Sequence, residues 1–142
     1  MRACGRSGHI VNISSVAAQR NDSGVYGSTK HAVNAISATL RGELEEDDIR
    51  VINVMPGAIA TNFARNFDPE FVAGFVKMAG FDLEVRPGER LPDEVFKALT
   101  GSLSKLLGDP QDVANAVLYA ISQPIKVGIA DIVVRPPKNW IR

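Results

Sequence analysis

The hydrophobic and polar positions of this chain fall into two alternating periods. Gly8 to Ser15 is a compact apolar, β-branched run without helical spacing, which predicts a buried strand of the parallel kind. Polar Gln19 to Gly24 follows, with Asp22 or Ser23 suited to cap a helix. Val33, Ile36, Leu40 and Leu44 then recur at three- and four-residue spacing and give a long helix one apolar stripe. Ala32, Ala35 and Ala38 give it a second face of small residues suited to close packing. The acids from Glu43 to Asp48 oppose the helix dipole, so the helix is expected to fray near Asp47. Ile49 to Met55 reads as a second strand, stopped by Pro56-Gly57. Strand, helix and strand make a βαβ unit, which requires parallel pairing through a right-handed crossover.

Two further patterns lie downstream. Phe67, Phe71, Phe75 and Met78 stand at spacings of four, four and three, as on one helix face. Pro92-Asp93-Glu94 starts another helix, with Val95, Leu99, Leu103 and Leu106 in line. Arg86 to Arg90 is a turn between them. Asp109 and Pro110 are the cap and first residue of a last helix, which ends at Gln123-Pro124. Ile129 to Val134 is a third strand, closed by Pro136-Pro137. The predicted organisation is one partial α/β domain over 1–142. It comprises a βαβ unit at 8–61, a helical insert at 62–108 and a last helix and strand at 109–142.

Composition narrows the function classes. The chain has 142 residues, 45% hydrophobic and 23% charged, with 16 Lys+Arg against 16 Asp+Glu. Zero net charge gives no sign of nucleic acid or anionic lipid as a partner. No apolar run approaches a membrane span, and the basic start lacks a signal-peptide core. One cysteine, Cys4, excludes an intrachain disulfide and a cysteine metal cluster, and no His/Asp/Glu group has metal spacing. The expected compartment is the cytoplasm.

Three features carry candidate chemistry. Tyr26 and Lys30 are four apart at the helix start, hence on one face about 5–6 Å apart at Cβ. An ammonium there favours the phenolate, which lets a tyrosine give or take a proton near neutral pH. Ser15 stands just beyond a strand end, where parallel α/β sheets place ligands, and its hydroxyl can donate to a carbonyl oxygen. Pro56-Gly57 holds the matching end of the next strand and lets a flat ligand approach the backbone. Each has a plain alternative: a solvated Tyr–Lys pair, a serine capping a turn, a strand-to-loop turn. All three fall on one edge of one sheet. A serine-hydrolase reading fails, because no Gly-x-Ser-x-Gly elbow exists and His9 and His31 are the only histidines.

Ile10 to Ala17, Tyr26-Gly27-Ser28-Thr29-Lys30 and Asn53-Val54-Met55-Pro56-Gly57 with Thr61 together resemble the short-chain dehydrogenase/reductase (SDR) family. The resemblance runs from the fifth to the seventh strand of that fold. It implies a partial doubly wound Rossmann-like fold, three parallel strands with helices, lacking the first four strands. It implies that Ser15 positions the substrate carbonyl or hydroxyl, Tyr26 is the general acid/base, and Lys30 binds the nicotinamide ribose and tunes the tyrosine. Pro56, Gly57, Ile59 and Thr61 would line the nicotinamide. The implied cofactor is NADP or NAD, with the wording around Val25 to Arg41 leaning to NADP. The implied substrate is a small alcohol or ketone, made apolar by the phenylalanines of the insert, and the full-length form would be a homo-oligomer.

The family's glycine-rich Thr-Gly-x-x-x-Gly-x-Gly turn, which cradles the pyrophosphate, has no counterpart in the sequence. Met1-Arg2-Ala3 reads as internal to a longer protein, so the chain is expected to be a weakly active or inactive fragment. The first strand would then have an exposed edge, and the alanine face no packing mate. The alternatives are a non-catalytic fragment that folds with a partner chain, or an extended-type epimerase or dehydratase, which Pro56-Gly57 and Thr61 disfavour.

Overall fold

A computed structural model of the chain describes residues 1–138, so the last four residues of the segment assigned to 109–142 lie outside the described residues. It divides into two compact units, Met1–Gly57 with Gln111–Val134, and Ala58–Pro110 with Arg135–Arg142.

The first unit is a parallel three-stranded sheet in the order β1-β2-β3, formed by Gly8–Ile13, Ile49–Pro56 and Asp131–Val134. Helix α1 (Gly24–Glu43) packs on one face, where Leu40 and Leu44 meet Ile10, Ile49 and Val51. The last helix (Pro110–Ser122) packs on the other, where Val113, Val117 and Ala120 meet Val11, Ile52, Val54 and Ile132. Neighbours along β2 therefore point to opposite layers, which is why its central run is apolar on both faces apart from Asn53. This is the partial Rossmann-like arrangement that the sequence implied. Among the described residues β1 pairs with β2 alone, so one of its edges is open, and Ile13 at its end is exposed.

Several expectations need correction. β1 stops at Ile13, before the serines, although the Ser14 N–H still donates to the Val54 carbonyl at 2.8 Å. Ser23 stands at the cap of α1 without a side-chain cap bond, its hydroxyl directed at Asp22 Oδ1 at 3.5 Å, and Asp22 is itself held by Arg20. α1 ends at Glu43, with the Leu44 N–H on the Leu40 carbonyl, rather than running on toward Asp47. Ile36 is 54% exposed, and the fully buried position of that helix is a polar one, Ser37. Ala32, Ala35 and Ala38 are exposed as well. β3 starts at Asp131, two residues later than expected.

The second unit has its own core. Val72 and Val76 of α2 (Pro69–Met78) pack with Leu91, and with Val95 and Leu99 of α3 (Asp93–Ser102). Asp68 caps α2 by accepting from the Glu70 and Phe71 N–H groups, with Pro69 in the first turn. The structure separates two apolar stripes here and shortens the second helix. The buried stripe of α2 is Val72/Val76, while Phe67, Phe71 and Met78 are exposed. α3 ends at Ser102, so Leu103 and Leu106 follow the helix instead of lying along it, although Leu103 still reaches the core. The exposed rings of Phe63, Phe67 and Phe71 form an edge-to-face ladder that ends on half-buried Phe75, with successive centroids 5.5, 6.0 and 5.2 Å apart. Among the described residues no helix is long and apolar enough to cross a membrane.

Candidate active site

Five of the predicted site residues lie at the carboxyl edge of the first unit's sheet. Ser15 stands two residues past the end of β1 and is 8% exposed; its Oγ accepts from the Ala17 N–H at 3.1 Å and caps a short 3-10 helix, Val16–Gln19. A hydroxyl has one donor and two acceptor positions, so this capping bond leaves the proton for another acceptor. Tyr26, in the first turn of α1, is 40% exposed. Lys30, one turn on, places Nζ 5.8 Å from the Tyr26 ring centroid and donates to the carbonyl of Ile13, the last residue of β1, at 3.0 Å. Pro56 ends β2 beside Val134, and the Gly57 N–H donates to the Val134 carbonyl at 2.8 Å.

The start of α1 is held by a close approach. Gly27 is buried between Tyr26 and Ser28, and a Cβ there would lie 2.6 Å from Ser23 Cβ and 3.4 Å from the Ala17 carbonyl oxygen. A bare backbone at 27 lets the helix begin against the turn that carries Ser15. The preceding loop is clamped by Arg20, which grips Asp22 with two bonds of 2.8 and 2.6 Å. The Arg20 hydrogen bond holds the Asp22 carboxyl below its usual range, and the same bond raises the guanidinium.

The other two predicted residues belong to the second unit. Ile59 forms a parallel bridge with Gly108, and Thr61 Oγ1 accepts from the Phe63 N–H at 3.3 Å, capping a short 3-10 helix at Asn62–Asn66.

Sequence reasoning missed a set of polar residues beneath the site. Asn12 and Asn53 face each other in register on β1 and β2. Asn12 Nδ2 donates to Ser37 Oγ at 2.9 Å, and Ser37 donates to the Val33 carbonyl at 2.8 Å. Asn53, 1% exposed, donates to Asn34 Oδ1 at 2.9 Å and Asp131 Oδ1 at 3.0 Å. Arg41 completes the set, donating to the Ala130 carbonyl at 2.9 Å and lying 3.6 Å from Asp131. These bonds tie α1 to all three strands. The available signal was an asparagine inside the apolar runs of β1 and β2, a position that demands partners.

The short chain dehydrogenase family profile matches residues 1–70. The chain is 35% identical over 141 residues to bovine (Bos taurus) dehydrogenase/reductase SDR family member 11, covering 93% of this chain and 45% of that one. The chain belongs to the short-chain dehydrogenase/reductase family, as a partial domain. It is 30% identical to an uncharacterised oxidoreductase of Staphylococcus aureus (strain MW2), covering 92% of this chain and 43% of the relative. The chain thus spans less than half the length of the curated SDR relatives it matches. Among solved SDR structures, it superposes on 7α-hydroxysteroid dehydrogenase with NADH and 7-oxo glycochenodeoxycholic acid at TM-score 0.62 and 27% identity, covering 94% of this chain and 45% of that one. A 3-oxoacyl-[acyl-carrier protein] reductase from Brucella melitensis gives 0.59 at 28% identity, over 94% and 42%.

Proposed function

We propose that this chain carries the catalytic wall of an NAD(P)(H)-dependent oxidoreductase that interconverts an alcohol and a ketone. The observation that supports it best is the Lys30 ammonium at the end of β1, one helical turn after Tyr26 and on the same sheet edge as Ser15 and Gly57. Tyr26 gives or takes the substrate proton at its phenolic oxygen. Ser15 donates its remaining proton to the substrate oxygen and orients it. Lys30 uses one of its three donors on Ile13 and keeps two for ribose hydroxyls. Pro56 and Gly57 offer a surface without a bulky side chain, and Ile59 and Thr61 take the nicotinamide-lining roles that the resemblance implies. The nicotinamide, when bound, supplies or accepts the hydride.

The residues fit the nicotinamide-ribose end of such a cofactor and do not fit its pyrophosphate. The described glycines with positive φ, Gly5, Gly24, Gly80 and Gly88, are scattered singly along the chain and make no glycine-rich turn between a strand and a helix. The chain alone therefore has little dinucleotide affinity. NADP is favoured over NAD on the wording around α1, and the compartment is the cytoplasm. The exposed phenylalanines Phe63, Phe67 and Phe71 support an apolar substrate, in keeping with relatives named for a steroid and for an acyl group. The exposed alanine face of α1 supports homo-oligomerisation of the longer form.

A second reading is a half that works only with a partner chain; the open edge of β1 and exposed Ile13 favour it. One experiment serves both. The chain is supplied with a glycine-rich first half from an SDR relative, fused ahead of Met1 or added as a separate chain, and oxidation of reduced nicotinamide by apolar ketones is followed. Turnover that collapses in Tyr26→Phe supports the enzyme reading. A folded, cofactor-binding assembly that turns over equally well with Tyr26→Phe defeats it. A complex that forms and binds cofactor without turnover leaves the partner-chain reading.

A further inference from the structure

The end of β1 carries a second serine that the proposed chemistry leaves unused. Ser14 is 3% exposed, and its Oγ–H donates to the Lys30 carbonyl at 3.1 Å. Its own N–H is fixed in the sheet on the Val54 carbonyl at 2.8 Å. A contact returns the other way, from Lys30 Nζ to the Ile13 carbonyl at 3.0 Å. One residue of α1 is thus held twice by adjacent residues of the strand end, its backbone by Ser14 and its ammonium by Ile13.

The backbone contact is not needed to complete the helix. A carbonyl at this point of α1 already has an acceptor role in the i to i−4 ladder, so the Ser14 hydroxyl occupies its second lone pair. The effect of the contact is positional. A lysine ammonium rides on a flexible four-carbon stem, and where it can reach depends on how well the base of that stem is fixed. Ser15, the neighbouring serine, instead accepts from the Ala17 N–H and caps the 3-10 helix that follows it.

We infer that Ser14 is a positioning residue that holds the Lys30 turn against the end of β1, so that the ammonium lies at the sheet edge. The chemical meaning of that position rests on the role proposed for Lys30, but its measurement does not. The test uses the intact, cofactor-free chain. Heteronuclear NMR measures the exchange of the Lys30 ammonium protons with water, assigned with Lys30→Arg. Ser14→Ala is expected to speed that exchange about fivefold, the factor a typical hydrogen bond's net contribution supports. Ser14→Thr, which keeps the donor, restores the slow rate, and Ser14→Val, the same shape without it, behaves as Ser14→Ala.

Unchanged exchange in the Ala and Val variants overturns the inference, as does equal exchange in the Thr and Val variants. If the Ala and Val variants fail to fold while the Thr variant folds, the hydroxyl maintains the fold instead of a position, and the inference also fails. Failure of the assembled enzyme to use nicotinamide would sink the function proposed above and leave the ammonium result standing.

Discussion

Tyr26 exposes 40% of its surface while Ser15 is buried, a division that suits a proton donor met by a diffusing substrate and a hydroxyl held to orient it. Replacing Tyr26 by Phe removes the proton and little else. In the assembled enzyme we expect kcat to fall by roughly 10²–10⁴, the usual span for a general acid/base, with the cofactor KM nearly unchanged. Lys30→Met should act chiefly on the cofactor KM. Beneath them, Asn53 joins Asn34 and Asp131, and its Oδ1 is buried without a partner. Asn53→Ala removes two bonds and one orphaned acceptor together, so urea unfolding should show a loss of about 1–2 kcal/mol rather than the sum of both bonds. The Tyr26–Lys30 pair was legible because helical spacing alone places it on one face. The separate duties of Ser14 and Ser15 were not legible. Two adjacent hydroxyls at a strand end point different ways, and only the backbone shows which one meets α1.

The start of α1 depends on one glycine and one ion pair. Alanine is the better helix former by about 1 kcal/mol, yet Gly27→Ala should lower stability, because its Cβ would meet Ser23 Cβ at 2.6 Å. A gain in thermal midpoint would contradict that. In the loop before it, Arg20 holds the Asp22 carboxyl below its ordinary value of 3.8. A depressed carboxylate contributes stability above that ordinary value and loses it as pH falls through the lower folded one. Arg20→Ala should therefore return the Asp22 titration, followed by carboxyl NMR, toward 3.8, with little effect on folding at neutral pH. In the second unit, Asp68→Ala should cost about 1 kcal/mol, as loss of an N-cap does. The Asp68-Pro69 start of α2, which leaves Phe67 outside the helix, was not read from the phenylalanine spacing, and neither was the buried face. A four-residue ladder of phenylalanines carries the same period as the Val72/Val76 stripe, and periodicity cannot say which of two apolar stripes meets the core.

Across the whole chain, the sheet layers explain why fold class was readable while the extent of each element was not. β2 is apolar at successive positions because its residues serve two helix layers, and that pattern survives without coordinates. Asn53 within it breaks the pattern, and its partners lie 19 and 78 positions away, beyond any local signal. The same sheet edge that gathers Ser15, Tyr26, Lys30 and Gly57 offers no glycine-rich cradle for a pyrophosphate. Catalytic groups without their cofactor support should show themselves in binding. Calorimetric titration of the purified 142-residue chain with NADPH is the decisive measurement. We expect no binding in the micromolar range. Micromolar affinity, with ketone turnover lost in Tyr26→Phe, would contradict the account.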